Sequence, residues 1–164
     1  MTVIKRSSYV SDSKCDAMVA NLPTFTTYLG GHCMVDEGGD KISVYQFIKW
    51  RAYPEALKTA WKDAMPSEVV DTYLVSSFLK IPANTGVLYP TTLATEGERP
   101  IGCFLSVSLK DGQNLKINGT KYDVSKGDAL IFNATDTYET EIMSSDALWS
   151  VNMIPAWKKS TYAT

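Results

Sequence analysis

Short stretches of alternating apolar and polar residues fill the segment from Gly102 to Glu141. Because apolar residues at every second position give an extended chain one buried face, this pattern predicts a series of β-strands. Asn118-Gly119 separates two of them and predicts a tight hairpin, since both residues tolerate the positive φ that such a turn requires. The Gly-Asp step at 127–128 predicts the entry to the next strand.

Further β-prone stretches bring the predicted total to about eight or nine strands, with turn signals at short spacing. The predicted strands outside the hairpin cover 42–50, 69–81, 85–89, 103–109, 129–132, 138–143 and 147–154. Many short strands joined by tight turns are typical of a β-sandwich or jelly roll. The chain is therefore predicted to be mainly β.

Helical signals lie in the N-terminal half of the chain. Residues 54–64 begin with a proline, which suits a first helical turn, and carry apolar residues at helical spacing. They predict an amphipathic helix, and residues 15–22 predict a shorter one. The glycine pairs in 24–40 predict a loop with room for one short strand, and residues 1–14 predict a tail or an edge strand.

Size and composition predict a single domain over 1–164, with a loop-rich segment at 1–40 and a jelly-roll core at 41–157. Apolar residues make up 45% of the chain, which is enough to close a core. The net charge of -2 disfavours nucleic acid as a partner. No apolar run approaches the roughly 20 residues that span a bilayer, so no membrane partner is expected. The sequence shows no secretion signal, and three cysteines without a CxxC pattern favour a reduced compartment, so a cytoplasmic or virion location is predicted.

Five segments of the C-terminal half occur in the order found in one enzyme family. They are IPANTG at 81–86, LYPT at 88–91, CFLSVSL at 103–109, GDALIF at 127–132 and VNMIP at 151–155. In these features the chain resembles the aspartyl/asparaginyl β-hydroxylases, a branch of the Fe(II)/2-oxoglutarate oxygenases. The resemblance implies a double-stranded β-helix, a jelly roll that cupins share, and it implies iron(II) and 2-oxoglutarate as the family's cofactors.

The residues that carry the chemistry of that family are absent at the matching positions. Thr91 and Tyr138 stand where the family has its two histidine ligands, and no arginine for 2-oxoglutarate occurs at 146–149. The single histidine of the chain is His32. Because Fe(II) catalysis on this fold requires imidazole and carboxylate donors, we expect no catalytic residue, no metal and no cofactor. Tyr89, Thr91 and Tyr138 are then predicted to line a degenerate pocket.

Two other groups of residues were candidates for chemistry. Asp136, Glu139 and Glu141 form an alternative acidic site, in which Glu139 and Glu141 share one face of a strand and suit acid/base work or a divalent ion. A solvated strand face is the favoured interpretation of these carboxylates. His32 and Cys33 supply two metal donors, which Cys15 or Asp36 would have to supplement, and a loop histidine is the favoured interpretation.

The sequence therefore predicts a non-catalytic jelly roll that acts in assembly or protein interaction, in a virion or another large complex. Its tyrosine, tryptophan and methionine residues are of the kinds favoured at interfaces, so a protein partner or a second copy of the chain is expected. The alternatives are a divergent Fe(II)/2-oxoglutarate-dependent oxygenase and a small-ligand-binding cupin-like protein. Whether the protein is an enzyme stays open at this point.

Overall fold

A computed structural model describes residues 3–36, 41–65, 76–87, 101–106, 113–133 and 135–154. These residues form two α-helices, α1 (Asp12–Ala20) and α2 (Glu55–Ala64), and eleven strands. The strands are β1 (Ile4–Arg6), β2 (Thr26–Asp36), β3 (Lys41–Lys49), β4 (Ser76–Ile81), β5 (Thr85–Val87), β6 (Ile101–Ser106), β7 (Gln113–Ile117), β8 (Thr120–Val124), β9 (Ala129–Asn133), β10 (Tyr138–Thr140) and β11 (Ala147–Ile154).

The strands form two antiparallel sheets. The larger sheet has the order β1-β9-β6-β11-β4-β3-β2-β5, and the smaller one has the order β10-β7-β8. β5 at one edge of the larger sheet lies beside β10 at one edge of the smaller sheet, so the two sheets approach each other along this side. The prediction of a mainly β fold with one or two helices from the N-terminal half is confirmed.

Where its side chains are described in β4, β9 and β11, the larger sheet is buried on both faces. Its helix-side core joins Phe78, Ile131 and Leu148 of the sheet to Leu57 and Trp61 of α2. Neighbours along a strand point to opposite faces, which explains why the residues of β4 and β9 are buried almost without interruption. The helix over 54–64 was predicted one residue too long, and its apolar stripe covers the sheet as expected.

The opposite face of the larger sheet packs against the smaller sheet and forms the barrel core. This core is one contiguous set of buried side chains that both sheets supply. Its members are Leu79, Ile81, Leu115, Ile117, Val124, Leu130, Phe132, Tyr138, Ala147, Trp149 and Val151.

The predicted hairpin between β7 and β8 is confirmed. Asn118 and Gly119 have φ of 49° and 81°, and Ile117 pairs with Thr120. The Asn118 side chain also accepts a hydrogen bond from the backbone N–H of Thr137, at 3.0 Å. The turn therefore links the hairpin to the start of β10.

The N-terminal segment is fixed to the turn between β8 and β9. The Asp128 carboxylate accepts backbone N–H groups from Ser8 at 2.8 Å and from Ser125 at 3.0 Å. The Val10 N–H donates to the Gly127 carbonyl at 3.0 Å. These bonds place β1 beside β9, with Ile4 opposite Ile131 at the sheet edge.

The prediction of a loop over 24–40 is wrong at residues 26–36, which form β2. This strand pairs with β3 on one side and with β5 on the other. Its register against β3 shifts between Leu29 and Met34, and the glycine pair at 30–31 falls there. The glycines therefore mark a bulge within a strand, and not a turn that ends one.

Other boundaries shift by a few residues. α1 begins and ends earlier than the predicted 15–22, and β10 ends at Thr140, before the predicted end at 143. Residues 69–75 and 107–109 of two predicted strands lie outside the described residues. Neither described helix is long and apolar enough to cross a membrane.

Candidate functional site

Tyr138, the predicted replacement for a metal ligand, is the first residue of β10 and belongs to the barrel core. Its pairing partner in β7 is Ile117, and its exposed fraction is 0%. Burial raises the pKa of its phenol well above the usual value of 10.0, because the charged form would lose its hydration. The side chain is therefore a neutral phenol at physiological pH.

The start of β11 is apolar on its barrel side. Ala147 and Trp149 belong to the barrel core, and Trp149 is 1% exposed. Asp146, just before the strand, forms an ion pair with Lys80 at 3.3 Å and accepts the Ala83 N–H at 2.8 Å. At 146–149, where the sequence has no arginine, the structure places the indole of Trp149 inside the barrel.

Two members of the predicted degenerate pocket, Tyr89 and Thr91, lie outside the described residues. His32 and Cys33 lie in β2, at the bulge described above, and not in a loop as predicted. Cys15 is a fully buried thiol of α1. Asp36 ends β2, opposite Thr85 of β5.

The predicted acidic site is divided between two places. The Asp136 carboxylate accepts the Asn133 N–H at 3.0 Å and so stabilises the turn between β9 and β10. Glu139 and Glu141 flank the buried Thr140 and line a groove on the outer face of the smaller sheet. No group of three or more histidine, cysteine or acidic side chains meets anywhere in the described ranges.

The groove is built from two neighbouring strands. Asn114 and Lys116 alternate with the buried Leu115 and Ile117 of β7 and face outward. Glu139 of β10 and Glu141 just after it flank the buried Thr140 in the same way. The residues that line the groove are Asn114, Lys116, Glu139, Thr140 and Glu141. The groove holds about 90 Å³, which is room for a few water molecules or one polar side-chain group.

One wall of the groove is fixed by hydrogen bonds. The Asn114 amide donates to Glu141 Oε2 at 2.7 Å, and Lys121 Nζ lies 3.5 Å from Glu141 Oε1. The Asn114 hydrogen bond, assisted by the charges of Lys121 and Lys116, lowers the pKa of Glu141 below its ordinary value. Glu139 lies directly opposite Lys116 across the strand pair, which brings opposite charges together at the groove.

Sequence reasoning identified Glu139 and Glu141 but missed Asn114, Lys116 and Lys121. The alternation in QNLKI at 113–117 was a usable signal, because it puts Asn114 and Lys116 on the polar face of a strand. What the sequence did not show is that β7 lies next to β10. That pairing joins residues about two dozen positions apart and depends on the tertiary fold.

No family model matches the chain, and no curated protein matches it. Solved structures do resemble it. A prolyl-4-hydroxylase of Pseudomonas putida has a TM-score of 0.56 at 13% identity, over 93% of this chain and 92% of that chain. HygX of Streptomyces hygroscopicus, with nickel and 2-oxoglutarate bound, has a TM-score of 0.60 at 9% identity, over 94% of this chain and 83% of that chain.

A prolyl hydroxylase of Trichoplax adhaerens, in complex with a hypoxia-inducible-factor peptide, has a TM-score of 0.59 at 10% identity. The match covers 97% of this chain and 86% of that chain. Identities this low establish the fold alone, and the fold is the double-stranded β-helix of 2-oxoglutarate oxygenases and cupins. The narrower resemblance to aspartyl/asparaginyl β-hydroxylases stays a prediction.

The fold family implies iron(II) and 2-oxoglutarate, and the residues at the start of β10 and of β11 do not fit them. At the start of β10 and of β11 the barrel side is lined by a neutral phenol, an indole and aliphatic groups. Iron(II) requires imidazole and carboxylate donors, and 2-oxoglutarate requires a cation.

Proposed function

We propose that this chain is a binding protein built on a double-stranded β-helix, and that it contacts a protein partner at the groove of the smaller sheet. One observation carries the proposal: the polar side chains converge on the outside of the barrel, at Asn114, Lys116, Glu139 and Glu141, while the interior beside them is apolar. Charged and polar groups arranged in this way can pair with complementary groups on the surface of a partner.

The size of the groove favours a protein partner over a free small molecule. Sites that enclose a drug-sized ligand measure roughly 300 to 1,000 Å³. The volume of about 90 Å³ suits one polar side chain presented by a larger surface. This argues against the small-ligand alternative at this groove. That the partner is another protein or a second copy of the chain, in a virion or the cytoplasm, stays a prediction from the sequence.

A photo-crosslinking experiment tests the proposal. In the cells that produce the protein, a photoreactive amino acid at position 139 should form one defined covalent adduct with the partner. The same amino acid at the exposed Thr59 of α2 should form none. Charge reversal by Lys116→Glu should remove the adduct, and sedimentation of the purified chain shows whether the partner is a second copy. A monomer that yields no adduct from position 139 contradicts the proposal.

The solved structures favour a second candidate, a divergent Fe(II)/2-oxoglutarate-dependent oxygenase. Each neighbour named above is a hydroxylase or holds 2-oxoglutarate, and none is an assembly protein. On this hypothesis the donors would include His32 of β2, the strand that pairs with β5. Oxygen consumption that requires both Fe(II) and 2-oxoglutarate, and that is lost in His32→Ala, would establish the oxygenase and exclude the binding protein as the whole function.

A further inference from the structure

The geometry points to a barrel in which the positions expected to bind ligands serve in packing instead. Tyr138 and Trp149 fill the interior, so that this end of the barrel stabilises the fold and admits neither metal nor co-substrate. This inference concerns the inside of the barrel. It is independent of the groove, which lies on the other face of the smaller sheet. Tyr138 stands where the oxygenase resemblance predicts an imidazole, and Trp149 lies within 146–149, the stretch in which it predicts an arginine.

The two side chains come from opposite walls of the barrel. Tyr138 belongs to the smaller sheet, and Trp149 belongs to the central region of the larger sheet, paired with Leu79 of β4 and Ser106 of β6. Both are almost completely buried in the same apolar cluster, which also contains Phe132. Both sheets therefore contribute aromatic rings to one apolar cluster inside the barrel.

The chemistry of these side chains opposes a return to ligand binding. A phenol kept neutral by burial is a poor donor for a divalent ion, and an indole offers no acceptor and no positive charge to a carboxylate. A charged group placed at either position would lose its hydration inside a cluster of apolar side chains. Restoring the expected residues should therefore damage the fold and confer no binding.

The test is to restore those residues one at a time. Tyr138→His and Trp149→Arg should each lower the melting temperature by on the order of 10 °C, whereas Glu139→His, on the outward side of the same strand, should change it by no more than about 2 °C. Nickel with 2-oxoglutarate should leave the melting temperature of the wild-type chain unchanged. Trp149→Phe, which keeps an aromatic ring, serves as the milder variant and should fold with a smaller loss.

Either of two results would overturn the inference. One is a Tyr138→His variant as stable as the wild type that binds nickel stoichiometrically. The other is a wild-type chain that nickel and 2-oxoglutarate stabilise, with this stabilisation reduced in Trp149→Phe. Neither result depends on the groove, because Lys116→Glu, the variant that tests the groove, does not change the barrel core. Failure of the crosslinking experiment and failure of this one are therefore distinguishable.

Discussion

At the scale of single residues, the clearest constraints are two glycines with positive φ. Gly119 has a φ of 81° and Gly127 a φ of 86°. A Cβ at Gly119 would meet nothing within 4 Å, whereas a Cβ at Gly127 would lie 2.2 Å from the Val10 carbonyl oxygen. The same backbone conformation therefore occurs once in open space and once against a neighbouring segment.

These two positions form a matched pair of substitutions. Gly119→Ala should cost about 1 kcal/mol of unfolding free energy, which is the penalty for a side chain in the left-handed region. Gly127→Ala should cost at least about 2 kcal/mol more, because residues 8–10 must move away from the turn. Urea denaturation of both variants measures the difference. Equal losses would show that the contact with Val10 does not constrain the turn.

Cys15 gives a second prediction at this scale, one that depends on pH. Burial raises the pKa of its thiol from the ordinary 9.0 to about 11, an effect that the Lys126 cation partly offsets and that Asp12 and Asp16 reinforce. Because the folded pKa is the higher one, the stabilisation is complete below pH 9 and is lost as the pH rises from 9 to 11. Urea midpoints across that interval should fall less in Cys15→Ala than in the wild type. If the urea midpoints of the two proteins fell equally from pH 9 to 11, the loss of stability could not be assigned to Cys15.

The Glu141 carboxylate gives a third prediction at the residue scale, and it too depends on pH. The hydrogen bond from Asn114 is the largest cause of its lowered pKa, so its contribution to stability is present at neutral pH and is lost as the pH falls through the lowered value. Asn114→Ala should raise the pKa of Glu141 toward its ordinary value, as measured by NMR titration. Lys121→Ala should raise it less, because that side chain is half exposed and its charge is screened.

At the scale of elements, α2 shows what a periodic pattern predicts well. Leu57 and Trp61 lie one turn apart and are fully buried against the sheet, as their spacing indicated. Leu57→Ala should cost about 2 to 5 kcal/mol, because it leaves a cavity in the helix-side core. The exposed Thr59→Ala should stay within about 0.5 kcal/mol. Chemical denaturation gives both values, and a small loss in Leu57→Ala would mean that the helix packs loosely.

β2 shows where a local pattern failed. Glycine pairs usually interrupt strands, and nothing in residues 24–40 indicates that β3 and β5 would supply hydrogen bonds on both sides. By contrast, β11 was predicted at its observed bounds, since eight residues of mixed apolar and β-branched character lie next to a proline. Local signals therefore located the strands with their own apolar sequence, and they missed the one that neighbouring strands stabilise.

At the scale of the whole molecule, the fold was predictable and the site was predictable only in part. The missing imidazoles at 91 and 138 were visible in the sequence, because a single histidine cannot supply two ligands. The replacement of a binding cavity by packed rings was not visible, since it depends on which faces of β10 and β11 meet. The groove depends likewise on the pairing of β7 with β10.

The attachment of the N-terminal segment gives a prediction at this scale. Asp128→Ala removes the acceptor for the Ser8 and Ser125 N–H groups and should release residues 3–10 from the turn between β8 and β9. Limited proteolysis should then cleave this segment faster, while the barrel persists. Asp123→Ala, an exposed carboxylate of the neighbouring strand, is the control and should not change the cleavage rate. Unchanged cleavage in Asp128→Ala would show that β1 alone fixes the segment.

The position of β11 has a consequence for how the protein is made. This strand lies between β4 and β6, yet it is the last strand described along the chain. While the ribosome is still synthesising β11, the strand that joins β4 to β6 is missing. β1 likewise has no pairing partner until β9 has been made. Until β11 has been made, the sheet therefore exists as two half-sheets, β1-β9-β6 and β4-β3-β2-β5, and it is in this interval that a chaperone would have most to protect.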